Sequence, residues 1–314
     1  MRVTAARLTE HGQPLSVEQI DLPEPGPQEV IMDVAFAGVN PVDMYAAQGQ
    51  VAADAPVPRT LGTEGAGTAD GRRVVARGHG IGTARDGLWS SLAVVPRAAL
   101  VDIPDGVELR EAAAMGVAGV TAWRAVTELA QVKADDTVLV LGASGGVGSM
   151  IVAAASSAGA TVIGQSGHEA NADWIKQRGA DRVIVADAGQ LAGAVADLHP
   201  TAAFDGLGGG FTGAAIEALA PHGRLVLFGT SAAPDGQVPL KSLYSKGITV
   251  IGYASLLEPD EVMSAAIRDA LQAVADGQLS VPVGATVPLT RVNEAFDQIG
   301  QRQVRGKIVL DTTS

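Results

Sequence analysis

The run Thr137-Val138-Leu139-Val140-Leu141-Gly142-Ala143-Ser144-Gly145-Gly146-Val147-Gly148 decides the fold. Its first five residues are β-branched or aliphatic, the composition of a strand buried on both faces. Beyond the glycines, Val147, Met150, Ile151, Ala154 and Ala158 follow helical spacing, and Gly159 stands where a left-handed helix cap belongs. Thr161 to Gln165 reads as a second strand. Strand, glycine-rich turn, helix and strand together form the context in which such a motif binds a dinucleotide. Glycine lets backbone N–H groups approach phosphate oxygens, and the positive end of the helix dipole adds to the attraction. The bland alternative, a tight turn with no ligand, accounts less well for so many small residues at this point.

About 140 residues precede the loop, room for another domain. They alternate short strands with Gly and Pro turns: Thr4 to Leu8, Leu15 to Gln19, Val30 to Phe36, Arg73 to Ala76 and Leu88 to Val95. Residues 37–45 are expected to break the strand pattern, with Asn40 as a helix N-cap and Pro41 at the first helical position. Residues 58–67 read as turn-dense. Glu108 to Ala130 reads as one or two helices interrupted around Gly116 and Gly119. Downstream of the loop, strands at Arg182 to Val185, Ala202 to Asp205, Arg224 to Phe228 and Ile248 to Gly252 raise the count to six, that of a complete doubly wound domain. An amphipathic helix from about Pro259 to Ala275, a strand Ala285 to Leu289, a helix Arg291 to Ile299 and a strand Lys307 to Leu310 follow. The central sheet is already full, so this tail is expected to return to the first domain.

Composition sets outer limits. A chain of 314 residues, 47% hydrophobic and 18% charged, is that of a globular protein with two domains. With 22 lysines and arginines against 34 acids, the net charge of -12 repels nucleic acid and anionic membrane surfaces. No cysteine is present, which excludes disulfides and thiolate metal sites. No signal peptide is legible at Met1-Arg2-Val3-Thr4, and no apolar run reaches the ~20 residues of a membrane span. A cytoplasmic protein acting on small molecules is expected.

Residues 37–43, 62–67, 142–148 and 306–310 resemble, in that order, the quinone oxidoreductase branch of the medium-chain dehydrogenase/reductases, the branch of zeta-crystallin. The resemblance covers nearly the whole chain. It implies an α/β fold in which a Rossmann NAD(P)-binding domain, residues 119–255, is inserted in a β-rich GroES-like catalytic domain, residues 1–118 plus 256–314. Zinc-dependent relatives carry a cysteine near Val39-Asn40 and a histidine before the glutamate of Thr63-Glu64, and neither is present here. A zinc-independent enzyme is implied, adding hydride to an electron-poor quinone or other conjugated carbonyl. The resemblance assigns Ser144, Gly145, Gly146 and Val147 to the diphosphate and Gly167 to the adenosine ribose. Thr121, Phe228, Gly229 and Thr230 fall to the nicotinamide side, with core packing as the alternative for Phe228.

NAD-binding domains place an acid about 20 residues after the glycine loop to hold the ribose diol. Here that place reads Gly164-Gln165-Ser166-Gly167-His168, which points to NADPH. The family's frequent lysine is Asn171, so Ser166, His168 and Asn171 are left as neutral or weakly basic donors, and Arg178 or Arg182 could supply charge. Asn40 and Tyr45 are the candidates to stabilise the oxygen on which negative charge develops. Simple capping by Asn40 and simple packing of Tyr45 are the alternatives. Two further readings stay open: an enoyl reductase acting on a thioester-linked or natural-product enone, and a dinucleotide-binding protein without turnover. Strand Ile248 to Gly252, uncharged and without proline, is expected at a sheet edge and, by the family's usual solution, in a homodimer interface.

Overall fold

A computed structural model describes all of Met1–Ser314. The chain divides into two compact units, one of Met1–Val120, Leu256–Asp276 and Val281–Ser314, the other of Thr121–Ser255 and Gly277–Ser280.

The first unit carries ten strands: β1 (Arg2–Leu8), β2 (Ser16–Asp21), β3 (Glu29–Val39), β4 (Arg59–Thr60), β5 (Glu64–Ala69), β6 (Arg72–Arg77), β7 (Leu92–Pro96) and β8 (Leu100–Asp102) before the second unit, and β15 (Val283–Pro288) and β16 (Lys307–Asp311) after it. They form a sheet ordered β15-β16-β3-β5-β6-β8, with β7 also on β3, and a smaller sheet β2-β1-β4. The C-terminal tail does return to this unit. Strand β16 runs antiparallel to β3, with Ile308 opposite Val39 and Leu310 opposite Ala37. Leu8, Met32, Leu61, Leu88 and Trp89 are fully buried in its core. The Trp89 indole N–H donates to Gly38 O at 3.1 Å.

Two expectations for this unit need correction. Residues 37–39 do not break the strand pattern; β3 continues to Val39, because β16, some 270 residues later in the chain, supplies the partner that extends it. Residues 64–67 are not a turn but the start of β5. Their glycines serve close strand packing: a Cβ on Gly67 would lie 1.9 Å from Asp33 O. The helical stretch after Glu108 is indeed irregular, with π-helical turns at Met115–Gly119 and Ala125–Leu129 on either side of Val120–Arg124.

The second unit holds β9 (Thr137–Val140), β10 (Thr161–Ser166), β11 (Arg182–Val185), β12 (Ala202–Asp205), β13 (Arg224–Leu227) and β14 (Thr249–Gly252). All pairings are parallel, in the order β11-β10-β9-β12-β13-β14. This is the doubly wound dinucleotide-binding order. Val138, Leu139 and Val140 have no exposed surface, as expected of a central strand covered by helices on both faces. After β11 the chain crosses to the other side of β9, so the crevice at the topological switch lies beyond the carboxyl ends of β9 and β12. The loops Gly142–Gly148 and Gly206–Gly209 leave those ends. Strand β14 ends the sheet, and Val250 on it is 43% exposed. No helix is long and apolar enough to cross a membrane.

Candidate active site

In the second unit the glycine loop is shaped by its own backbone. Gly142 has φ +64°, in the left-handed region. Gly145, extended, precedes the helix Gly146–Ser157. The N–H groups of Gly146, Val147 and Gly148 lie in the first turn and have no intrahelical acceptor. Gly148 lies so close under the loop that a Cβ there would stand 2.4 Å from Gly142 O. These features fit a diphosphate cradle: bare N–H groups, a helix dipole and a backbone held too tightly for side chains.

The polar groups that meet beside the loop are uncharged, and the exposed Glu169 follows His168 directly. The Asn171 carboxamide donates to Ser144 Oγ at 3.2 Å and to Ser166 Oγ at 3.0 Å, joining the loop to the end of β10. His168 N donates to Ser166 Oγ at 3.2 Å. Gly167 and His168 are exposed, and a Cβ on Gly167 would meet nothing within 4 Å. The Arg178 guanidinium lies 4.5 Å from the centre of the Trp174 ring. On the far side of the switch, the half-buried Phe228 ring lies against Gly206, where a Cβ would come within 2.7 Å of it, and Gly229 packs against the same residue. Thr230 is exposed, and Thr121 is buried. The structure thus brings Ser144, Ser166 and Asn171 together and gathers Phe228, Gly229 and Thr230 around the loop after β12.

Two braces here lie outside the sequence reading. Gln165, only 1% exposed, accepts from Gly142 N at 3.0 Å and donates to Ala186 O at 2.7 Å, pinning the start of the glycine loop to the chain after β11. Asp205 accepts from Leu207 N, Gly208 N and Thr212 Oγ1 and fixes the loop after β12. Their signal was a polar residue closing each of two apolar strands.

In the first unit, Asn40, Asp43, Glu64 and Lys307 form a buried polar cluster, none more than 4% exposed. Asn40 occupies the N-cap position of the helix Pro41–Ala47, as expected, and the Asp43 carboxylate accepts from Asn40 N at 2.8 Å. The other Asp43 oxygen accepts from Thr63 N at 3.0 Å. The Asn40 carboxamide faces inward. Its Nδ2 donates to Glu64 Oε1 at 2.7 Å, and its Oδ1 accepts from Lys307 Nζ at 2.5 Å. Lys307 also donates to Val39 O at 2.9 Å and to Glu64 Oε1 at 3.2 Å. Glu64 Oε2 accepts from Val117 N at 2.8 Å. Gly38 makes room for the carboxylate: a Cβ there would lie 2.1 Å from Glu64 Oε1. Tyr45, on the same short helix, is 38% exposed, so it is not a packed core aromatic.

A family model described as zinc-binding dehydrogenase matches residues 146–276. The mouse quinone oxidoreductase-like protein 2 is 31% identical over 324 residues, covering 98% of this chain and 91% of the mouse protein. The chain belongs to the medium-chain dehydrogenase/reductase family. Among solved structures, a mycobacterial protein complexed with NADPH is 28% identical with a TM-score of 0.86, covering 98% of this chain and 99% of the other. A Pseudomonas syringae quinone oxidoreductase is 26% identical with a TM-score of 0.87 over the same shares. This medium-chain family member is an oxidoreductase built on a Rossmann-type sheet and a separate β-rich unit.

Asp43 generates a pH prediction. Burial and the nearby Glu64 charge push its carboxyl up to about 7, against the pull of the two N–H donors and Lys307. The folded chain therefore binds more protons than the unfolded chain between about pH 4 and pH 7, and stability falls as pH rises through that window. The full effect is on the order of 4 kcal/mol. In denaturant titrations, the stability advantage of the native protein over Asp43→Asn should shrink from pH 5 to pH 8. An advantage that stayed constant across that range would show that Asp43 is held ionised.

Proposed function

We propose that this chain is a zinc-independent NADPH oxidoreductase that transfers hydride to a quinone or another conjugated carbonyl, with residues 119–255 holding the cofactor and residues 1–118 plus 256–314 holding the acceptor. The carrying observation is the Asn40 carboxamide. Two N–H bonds sit on Nδ2, and only one protein acceptor, Glu64 Oε1, receives them. A buried N–H without an acceptor is costly, which favours a ligand oxygen at that place.

When bound, NADPH would supply a hydride to an electron-poor carbon, so that negative charge would develop on the conjugated oxygen. The free N–H of Asn40 donates to that oxygen, and the exposed Tyr45 hydroxyl is the second donor. Preorganised donors of this kind lower the barrier because they need no rearrangement as charge develops. Water delivers the final proton. For the cofactor, the N–H groups of Gly146 and Val147 and the Ser144 hydroxyl take the diphosphate, Gly167 the adenosine ribose, and Ser166, His168 and Asn171 the 2′-phosphate. Thr121, Phe228, Gly229 and Thr230 would serve the nicotinamide side. The lack of an acid before Glu169 at the end of β10 supports NADPH, because a carboxylate at that place would repel the phosphate.

The residues at the acceptor site do not suit zinc. A carboxamide, an ammonium group and two carboxyl groups, of which Asp43 is occupied by the Asn40 and Thr63 N–H groups, make a poor zinc ligand set, and the ammonium is itself a cation held 3.2 Å from Glu64. No group of three or more His, Cys, Asp or Glu is placed to hold a metal ion. NADPH oxidation should therefore proceed with a benzoquinone or an enone, faster than NADH oxidation, and survive prolonged chelation. Loss of turnover on chelation with recovery on added zinc, or silence with every acceptor despite tight NADPH binding, would overturn the reading.

The assembly we propose is a homodimer through β14. This edge strand leaves Val250 exposed, and Leu240 and Tyr244 on the helix Leu240–Ser245 just before it are 69% and 75% exposed. An unprotected apolar edge invites pairing, and a second copy across a two-fold axis closes it. Light scattering should give about twice the 31.8 kDa chain mass, and Val250→Pro should lower it by removing a ladder donor. A monomeric native protein at micromolar concentration would refute the dimer.

A further inference from the structure

We infer that Lys307 is a positioning residue for the reaction: its ammonium group, together with Glu64, locks the Asn40 carboxamide in the one orientation that presents an N–H to the acceptor oxygen. The inference rests on the proposed role of Asn40 as the oxyanion donor.

The geometry carries it in three steps. First, Lys307 has nothing to offer a ligand. An ammonium has three N–H donors, and Val39 O, Asn40 Oδ1 and Glu64 Oε1 receive them at 2.9, 2.5 and 3.2 Å. Its part in any reaction must pass through the groups it holds. Second, a carboxamide can flip, exchanging oxygen and nitrogen with little change of shape. Here the flip is penalised on both sides. It would turn Asn40 Nδ2 toward the ammonium, donor against donor, and Oδ1 toward the Glu64 carboxylate, acceptor against acceptor. A donor to the carbonyl and an acceptor from the amide therefore select one state, at burial where hydrogen bonds are strong and mismatches costly. Third, the ammonium polarises the carboxamide. Drawing electron density to Oδ1 makes the remaining N–H a stronger donor, and charge-assisted hydrogen bonds exceed neutral ones.

The fold ties this lock to distant parts of the chain. Lys307 opens β16, Asn40 follows β3 and Glu64 opens β5, neighbouring strands in one sheet. Gly38 leaves the space in which Glu64 Oε1 reaches both partners. Arginine could not replace Lys307, because a planar fork cannot serve three acceptors arranged around one nitrogen.

A double-mutant cycle on single-turnover hydride transfer tests this. Lys307→Met alone would strand the Glu64 charge, so Glu64→Gln/Lys307→Met is used, which removes both buried charges. NADPH affinity and thermal melting are measured alongside. Asn40→Ala should slow hydride transfer roughly 100-fold, as loss of one oxyanion donor does. The charge-free pair should slow it roughly 30-fold with NADPH affinity unchanged, in line with the cost of misplacing a reacting group. Added to Asn40→Ala, the pair should cause no further loss, since it acts only through Asn40. If Asn40→Ala has full activity, the oxyanion reading fails and this inference with it. If Asn40→Ala is slow but the charge-free pair is not, or if the two losses multiply, Lys307 is not a positioning residue.

Should the charge-free pair fail to fold, NMR of the native protein decides. The Asn40 side-chain amide, assigned with Asn40→Ala, should show one proton strongly protected from solvent exchange by Glu64 and the other exchanging much faster. Equal, fast exchange of both protons would mean that the carboxamide is not held and would overturn the lock.

Discussion

Lys307 Nζ and Glu64 Oε1 stand 3.2 Å apart with side-chain exposures of 4% and 0%, and much of the β-rich unit is arranged around that contact. Two opposite charges removed from water lose several kcal/mol of hydration each, and mutual attraction compensates only when their other valences are filled. Here they are filled: the ammonium also reaches Val39 O and Asn40 Oδ1, and the carboxylate also receives Asn40 Nδ2 and Val117 N. An isolated buried pair would be a poor source of stability. A saturated one specifies which strands meet, because slipping β16 by one residue on β3 would turn Lys307 to the opposite face and strand the carboxylate.

The same contact explains the glycines around it. A side chain on Gly38 would collide with Glu64, and one on Gly116 would come within 3.2 Å of Glu64 Oε2. At Gly38 and Gly116 glycine is thus a packing residue beside a buried charge. In the Rossmann unit it has another task, at Gly142 and Gly148, where the loop must turn sharply and the helix must approach it closely. One residue type serves two physical ends.

Much of this could be read from residues alone, for identifiable reasons. Arg182–Val185 and Ala202–Asp205 were legible to the residue because short aliphatic strands buried on both faces stand out between helices. The glycine loop was legible because its context is local. The continuation of β3 to Val39 and the strand at Glu64–Ala69 were not, since each depends on partners far away in sequence. The charged members of the cluster were visible only as letters in motifs. That Asp43 caps Asn40 and braces Thr63, and that Lys307 reaches Asn40 across 267 residues, are facts of register that periodicity does not carry. Asn40 was named from the sequence as a candidate polar residue of a pocket, with no sign that it stands at the centre of a network.

In the proposed reading the buried Asn40 network serves the acceptor and the glycine loop serves the cofactor. The most direct test is a structure of the protein with NADPH and a phenolic product analogue. The analogue's oxygen should lie within about 3 Å of Asn40 Nδ2, with Lys307 still bonded to Asn40 Oδ1. A product oxygen bound away from Asn40, or a carboxamide turned with its oxygen outward, would contradict the assignment.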